Sequence, residues 1–352
     1  MFERLELSGG RFAEALPPEQ QTQYSKDFTG NVSKIFRINP CGTIVPEGIK
    51  YYEEDIYNFK FRPDDVLVMS YPKCGTTWLQ EIIWNMRNNP DLDHQNPEEP
   101  LLARSPVIET DMALHDYMLT TSVEKYLDEP MFSTFKTRCP NLDPKRGIHL
   151  QMAESLTEPR TLKTHLPPSC FQPGLINKCK VVLIVRHPKD VVLSFQHHCR
   201  LLKSHGFTGS QDVFIEYFVN DLMIYGSYGN LVREALQFKL HPNFYLLFYE
   251  DLKADIQAEL RKLNVFLGTG LSELQLQNVE RQTCFKNMQK FDPYRVMSSA
   301  VSNMDVAQKD GPFIRRGLAM AWKGELTEEQ EKMMNDFIMK HFTDQEFKAR
   351  FH

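Results

Sequence analysis

The sequence predicts an α/β fold: a single domain built on a central parallel sheet flanked by helices. Three apolar runs predict it. Val66–Ser70, Lys180–Val185 and Phe244–Phe248 are short, continuous and bounded by turn formers, and each leads into a helical pattern, from Thr76 to Met86, Asp190 to Leu202 and Ile256 to Phe266. A strand without polar alternation is buried on both faces. Parallel strands joined through helical crossovers bury both faces in this way.

The remaining composition fits one domain spanning residues 1–352. An apolar fraction of 41% is enough for a core of that size, and neither a repeat nor a linker divides the chain. The segment 88–160 is rich in Pro, Asn, Asp and Glu with only short helical pieces, and it reads as long loops covering a site. Thr327-Glu328-Glu329-Gln330 opens a last helix, ending near His341, in the pattern of a capping box. A net charge of −5 argues against nucleic acid as partner, so an anionic ligand must be caught by locally placed Lys and Arg. The start lacks a secretory pattern, and no apolar run is long enough to span a bilayer, so no membrane partner is expected. Seven cysteines are scattered without CxxC spacing, which suits free thiols in a reducing compartment and provides no metal site; a cytoplasmic location is expected.

In parallel sheets ligands collect beyond the carboxyl ends of the strands. The first such end carries Tyr71-Pro72-Lys73-Cys74-Gly75-Thr76-Thr77-Trp78. A glycine turn opening a helix offers backbone N–H groups, hydroxyls and the helix dipole to an anion, with Lys73 adding charge. An ordinary tight turn explains the same residues equally well. It is not the nucleotide-kinase loop GxxxxGK[ST], because Lys73 precedes the only glycine. Next comes Lys163-Thr164-His165-Leu166-Pro167. A neutral imidazole can take a proton from a hydroxyl at neutral pH, although one histidine among eleven is more often structural. The third end places Arg186 at the strand terminus and Ser194 about two turns later, where both can face one phosphate; a helix-capping arginine with an incidental serine is the alternative. Late in the chain, Arg315 and Arg316 precede Gly317, either a fork-capable pair beside a close backbone approach or a solvated cluster. Together these segments suit a nucleotide carrying anionic groups at two separate places.

The same segments resemble the cytosolic sulfotransferase family. Its YPKSGTTW loop, KTHLP segment, arginine-to-serine strand and helix, LFYED strand end, TSFKxM segment and RKGxxGDWK loop all recur in order between Arg62 and Lys323. The resemblance implies a P-loop-NTPase-like sulfotransferase fold and an enzyme of the EC 2.8.2 type. Such an enzyme transfers a sulfuryl group from 3′-phosphoadenosine 5′-phosphosulfate (PAPS, leaving PAP) to a hydroxyl of a small organic acceptor such as a phenol or steroid. It implies that Lys73, Cys74, Gly75, Thr76 and Thr77 wrap the 5′-phosphosulfate. Arg186, Ser194, Arg315, Arg316 and Gly317 then grip the 3′-phosphate, Trp78 and Phe285 sandwich the adenine, and Tyr249 and Thr283 complete the pocket. His165 is the implied base, Lys73 and Lys163 act on the departing oxygen with Ser194 among the catalytic group, and no metal is required.

The departures also carry expectations. Cys74 replaces the family serine and is expected to sensitise the site to thiol oxidation. Met320 and Ala321 replace the glycine and aspartate of the late loop, and Glu328 and Lys332 replace residues of the family dimer motif, so the usual dimer is not assumed. The stretch 110–162 is longer than in vertebrate members and is reminiscent of insect members such as retinol dehydratase. Tyr117, Met131, Phe132, Phe135 and Met152 are its candidate acceptor-lining residues. Rival readings are a dehydratase acting through a transient sulfate ester, a catalytically silent nucleotide-binding relative, and a magnesium-dependent nucleotide kinase.

Overall fold

A computed structural model of the chain describes residues 3–30, 33–94, 99–120, 130–157, 159–290 and 301–351. Its centre is a sheet of four parallel strands, β5 (Val66–Met69), β6 (Thr161–Thr164), β7 (Lys180–Val185) and β8 (Phe244–Phe248), in the order β6-β5-β7-β8. Alternate residues of these strands face opposite sides. Leu67, Met69, Leu183 and Val185 pack into one apolar cluster, whereas Val66, Val68, Val182 and Ile184 pack into a second. This two-sided burial is why the runs carry no polar alternation.

Three helices follow the apolar runs as the spacing predicts. They are α1 (Thr76–Asn88), α5 (Pro188–Leu201) and α6 (Ile256–Leu267). The second cluster is closed by Leu79, Ile82 and Ile83 of α1, Leu260 and Leu263 of α6, and Leu276 and Val279 of α7 (Glu273–Gln282). The helix foreseen at Thr327, α8 (Glu328–His341), begins with a complete capping box between Thr327 and Gln330, but it is not the last: a short helix over Gln345–Phe351 follows it.

Two regions differ from the sequence expectation. The described part of 88–160 holds more helix than the short pieces expected: α2 (Thr110–Thr120), α3 (Pro130–Arg138) and α4 (Ile148–Ser155) lie within it. Two residues that break helix interiors, Pro130 and Asp111, serve helix starts here. Pro130 is the first residue of α3, and the buried Asp111 carboxylate accepts the N–H groups of Ile148, His149 and Leu150 at the start of α4. The second difference is an antiparallel sheet of β1 (Arg4–Glu6), β2 (Phe12–Ala15), β3 (Ile35–Asn39) and β4 (Ile44–Pro46), packed through Ile35, Phe36 and Ile44 into the first cluster. Strands of this length carry too little pattern to be read from sequence.

Register sets the site. Val66 pairs with Thr161 and with Lys180, so Met69 lies level with Thr164 on one side and Leu183 on the other. The carboxyl ends of β5 and β6 therefore deliver Ser70 and His165 side by side. Val185 pairs with Phe248, which brings Arg186 beside Tyr249. The opposite end of the sheet is tied by a fully buried pair. Arg160 Nε donates to Asp65 Oδ1 at 2.7 Å, and Arg160 Nη1 and Nη2 donate to the carbonyls of Ala153 and Lys60, both at 2.9 Å. Removing one partner strands a buried charge, so Asp65→Asn is expected to lower stability by about 3–5 kcal/mol, measured by denaturant unfolding.

Candidate active site

The loop leaving β5 takes two left-handed steps, with φ of 69° at Lys73 and 97° at Gly75. A Cβ at Gly75 would lie 2.5 Å from the Tyr249 ring, so only glycine fits where the chain passes this aromatic. Gly75 is also the cap of α1 and provides no side chain there, which leaves the helix N-terminus and its dipole open to an anion. Gly75, Thr76, Thr77 and Trp78 line a cavity of about 550 Å³. Thr76 is anchored through its hydroxyl to Ser70 Oγ.

Cys74 departs from expectation. Its side chain is fully buried, and burial pushes the thiol up to about 12 despite the Tyr228 hydroxyl beside it. A buried neutral thiol is unreactive, so Cys74 serves the loop through its backbone and does not expose the site to oxidation.

The end of β6 supplies His165 and Lys163. His165 Nδ1 donates to the Ser70 carbonyl at 2.8 Å, which places the proton on Nδ1 and leaves Nε2 with its lone pair. Burial, with Lys163 and Lys73 nearby, holds the imidazole well below its ordinary value, so it is neutral at physiological pH. Lys163 is itself buried, and desolvation brings it down to about 8 against the favourable charge of Glu109. Lys73 lines the same cavity, with its ammonium 3.4 Å from the Phe313 ring centroid.

The end of β7 supplies Arg186. Its guanidinium lies 4.5 Å over Tyr249, donates from Nη1 to the Lys73 carbonyl at 3.3 Å and from Nη2 to the Leu318 carbonyl at 2.8 Å, and approaches Asp190 at 3.5 Å. Its buried Nε has no acceptor among the described residues. That orphaned donor, together with the uncapped α1, fits an anionic ligand. Ser194, Arg315, Arg316, Gly317, Tyr249 and Phe285 line the cavity too. The two late arginines differ: burial and its neighbour depress Arg315, whereas Arg316 pairs with Glu325 at 2.9 Å in solvent. Gly317 has φ of 61°, and a Cβ there would lie 2.6 Å from the Phe285 ring.

Met320 occupies the left-handed region expected of the family glycine, at φ 56°. What holds it is Asp190, whose carboxylate accepts the N–H of Met320 at 2.8 Å and of Trp322 at 2.9 Å. Trp322 also stacks on His187, ring centroids 5.4 Å apart. Sequence reasoning missed Asp190, although an acidic residue in the first turn of α5 was the available signal. Thr283 is placed differently from its expected role. Fully buried, it donates its hydroxyl to the Val279 carbonyl and receives the Trp78 indole N–H on its own carbonyl at 2.9 Å, so it positions Trp78 from behind the wall.

The cavity is also lined by the apolar Pro46, Val107, Ala113, Leu114 and Ile224 and by Tyr225, whose ring centroid lies 5.2 Å from that of His165. Phe135 and Met152, expected here, instead pack with Ala103, Cys139 and Ile148 in a separate small core. The side chains of Tyr117, Met131 and Phe132 lie outside the described residues. His197, His198 and His205 reach the cavity and were missed; burial is the main cause that keeps each below the ordinary histidine range.

The sequence model of the Sulfotransferase domain matches residues 63–346. The chain belongs to the sulfotransferase family. Among relatives, rat (Rattus norvegicus) Sulfotransferase 1A1 is 33% identical over 309 residues, 86% of this chain and 94% of that protein. The luciferin sulfotransferase of Photinus pyralis is 29% identical over 311 residues, 85% of this chain and 78% of that protein. The crystal structure of retinol dehydratase in a complex with retinol and PAP superposes with a TM-score of 0.79 at 26% identity, covering 95% of this chain and 97% of that one. No helix among the described residues of this sulfotransferase is long and apolar enough to cross a membrane.

In this sulfotransferase Gly75→Ala combines a positive φ with a clash against Tyr249. Strain of about 1–3 kcal/mol falls on the anion loop, so the affinity for PAP is expected to drop roughly tenfold or more by titration calorimetry.

Proposed function

We propose that this sulfotransferase moves the sulfuryl group of PAPS to the hydroxyl of a small, largely apolar acceptor, with His165 as the general base. One observation carries the reading: a neutral imidazole, its Nδ1 committed to the Ser70 carbonyl, shares a cavity with the uncapped α1 and the orphaned Arg186 Nε. The PAP held by retinol dehydratase supports the same ligand class. When bound, PAPS supplies the electrophilic sulfuryl group.

Each residue then has a defined task. The α1 N-terminus and Lys73 hold the 5′ end, and Lys73 and Lys163 meet the negative charge that grows on the bridging oxygen. Arg186, Ser194, Arg315, Arg316 and Gly317 hold the 3′-phosphate, while Trp78, Phe285 and Tyr249 frame the adenine. His165 Nε2 takes the acceptor proton as oxygen attacks sulfur in line. Fixed cations do here what magnesium does in phosphoryl transfer, which distinguishes the reading from a kinase. The apolar part of the wall suits a phenol, steroid or longer alcohol. Free thiols at all seven cysteines suit a cytoplasmic address. The likeness to retinol dehydratase favours a second reading in which the sulfate ester of a suitable alcohol eliminates.

Transfer of labelled sulfate from PAPS across phenols, sterols and aliphatic alcohols tests the activity, and product analysis separates a stable ester from an alkene. His165→Ala is expected to abolish transfer while PAP binding stays within about twofold; a near-normal rate overturns the assignment. Transfer should persist in chelator. The base is depressed and must be deprotonated, so activity is retained as pH falls through 6.5. Lys163 must be protonated, so activity declines as pH rises through about 8. A rate profile from pH 5 to 10 checks both signs.

A further inference from the structure

Glu109 has no part in the scheme above, yet it is a fully buried carboxylate bonded to the segment that carries His165. It sits at the end of 106–109, a segment that pairs with β6 on its free side. The Val107–Lys163 bridge is parallel, Ile108 N–H donates to the Lys163 carbonyl at 3.0 Å, and Lys163 N–H donates to the Pro106 carbonyl at 3.0 Å. Both carboxylate oxygens are engaged. Oε1 accepts the backbone N–H of His165 at 2.6 Å, and Oε2 accepts the Thr164 hydroxyl at 2.9 Å, whose oxygen in turn accepts the Leu166 N–H at 3.0 Å.

We propose that Glu109 is a positioning residue of the sulfuryl-transfer reaction: it fixes the backbone that aims His165 and provides the counter-charge that keeps Lys163 an ammonium. The inference rests on the roles proposed for His165 and Lys163. A buried carboxylate without a specific partner carries a heavy desolvation cost, so its placement against three groups of the KTHLP segment needs a return. The geometry gives two. Main-chain and hydroxyl hydrogen bonds on either side of the Thr164–His165 peptide bond hold it at both ends, and the imidazole is attached to that peptide. Its charge also opposes the surroundings of Lys163, which is buried and shares its neighbourhood with Lys73, His165 and His198, groups that are cationic or neutral. Glu109 is the one group whose charge raises Lys163 against that burial.

The signs follow. Lys163 stands near 8; burial pushes the Glu109 carboxyl above its ordinary range, the hydrogen bonds from His165 and Thr164 favour its charged form, and a neighbouring opposite charge is worth about 1–3 pH units. Glu109→Gln keeps the shape and removes the charge, so the alkaline limb of kcat against pH moves down by about 1–3 units. Glu109→Asp keeps the charge but shortens the reach to His165, so its alkaline limb stays near that of the unaltered enzyme while kcat falls.

The experiment measures kcat and KM from pH 5 to 10 for the unaltered enzyme, Glu109→Gln and Glu109→Asp, with PAP affinity by calorimetry and thermal melting on each. The expected result is PAP affinity within about twofold for all three, with the downward shift of the alkaline limb in Glu109→Gln alone. A Glu109→Gln limb that coincides with that of the unaltered enzyme overturns the proposal, as does a limb displaced equally in Glu109→Asp. If Glu109→Gln fails to fold, the Asp variant decides by itself: a limb displaced downward overturns the proposal, and a limb retained with lower kcat supports it. An unaltered enzyme that neither binds PAP nor transfers sulfate refutes the underlying functional reading instead, and is recognised before any variant is compared.

Discussion

The parallel register of β5, β6 and β7 is the constraint on which the rest of the molecule depends. Because Met69 is level with Thr164 and Leu183, β5 and β6 end together while β7 runs two residues further, and the residues that follow all three meet at a common rim. The Ser70 carbonyl can then accept the hydrogen bond from His165 Nδ1, and the left-handed loop after β5 can pass under Tyr249 at the end of β8. A slip of one residue in any strand exchanges its buried faces as well as its site residues. The same apolar matching that makes the core therefore also sets the catalytic geometry.

Onto that rim the chain loads cations and one neutral base. Lys73, Lys163, Arg186 and Arg315 converge on one cavity, and an imidazole among them cannot readily take on a further positive charge. The arrangement solves two problems at once. The positive field suits a ligand with phosphate at one end and sulfate at the other, and that field keeps the base unprotonated until a hydroxyl supplies a proton. Glu109, on the protein side of β6, sits where it can moderate the field for Lys163 without touching the ligand.

Much of this was legible in the residues. The strands announced themselves through runs such as Lys180–Val185, and the loop at Lys73 to Thr77 through its place after a strand and before a helix. Other parts were hidden for definite reasons. Glu109 holds a backbone N–H and a hydroxyl of a segment far along the chain, which no residue pattern records, and Asp190 showed only as an acidic residue in the first turn of α5. Thr283 and Cys74 occupy motif positions, but the side chain of each turns inward, a matter of packing rather than spacing. The helices of 88–160 were disguised because Pro130 and Asp111, residues that break helices in their interior, were placed at their beginnings. The wall residues Ala113 and Leu114 come from one of those helices, α2, so misreading the segment also misdirected the search for the acceptor wall.

Arg186 does more than await a phosphate. Through the Lys73 and Leu318 carbonyls it already ties together two loops that lie far apart in sequence, and Asp190 anchors the second loop to the same helix. The nucleotide site is in this sense tied together by hydrogen bonds within the chain. A ligand entering such a site spends little of its interaction energy on ordering the chain, so it is held tightly both coming and going. Because the same guanidinium holds the Lys73 and Leu318 carbonyls, any opening of the site for the nucleotide to pass has to displace both loops together.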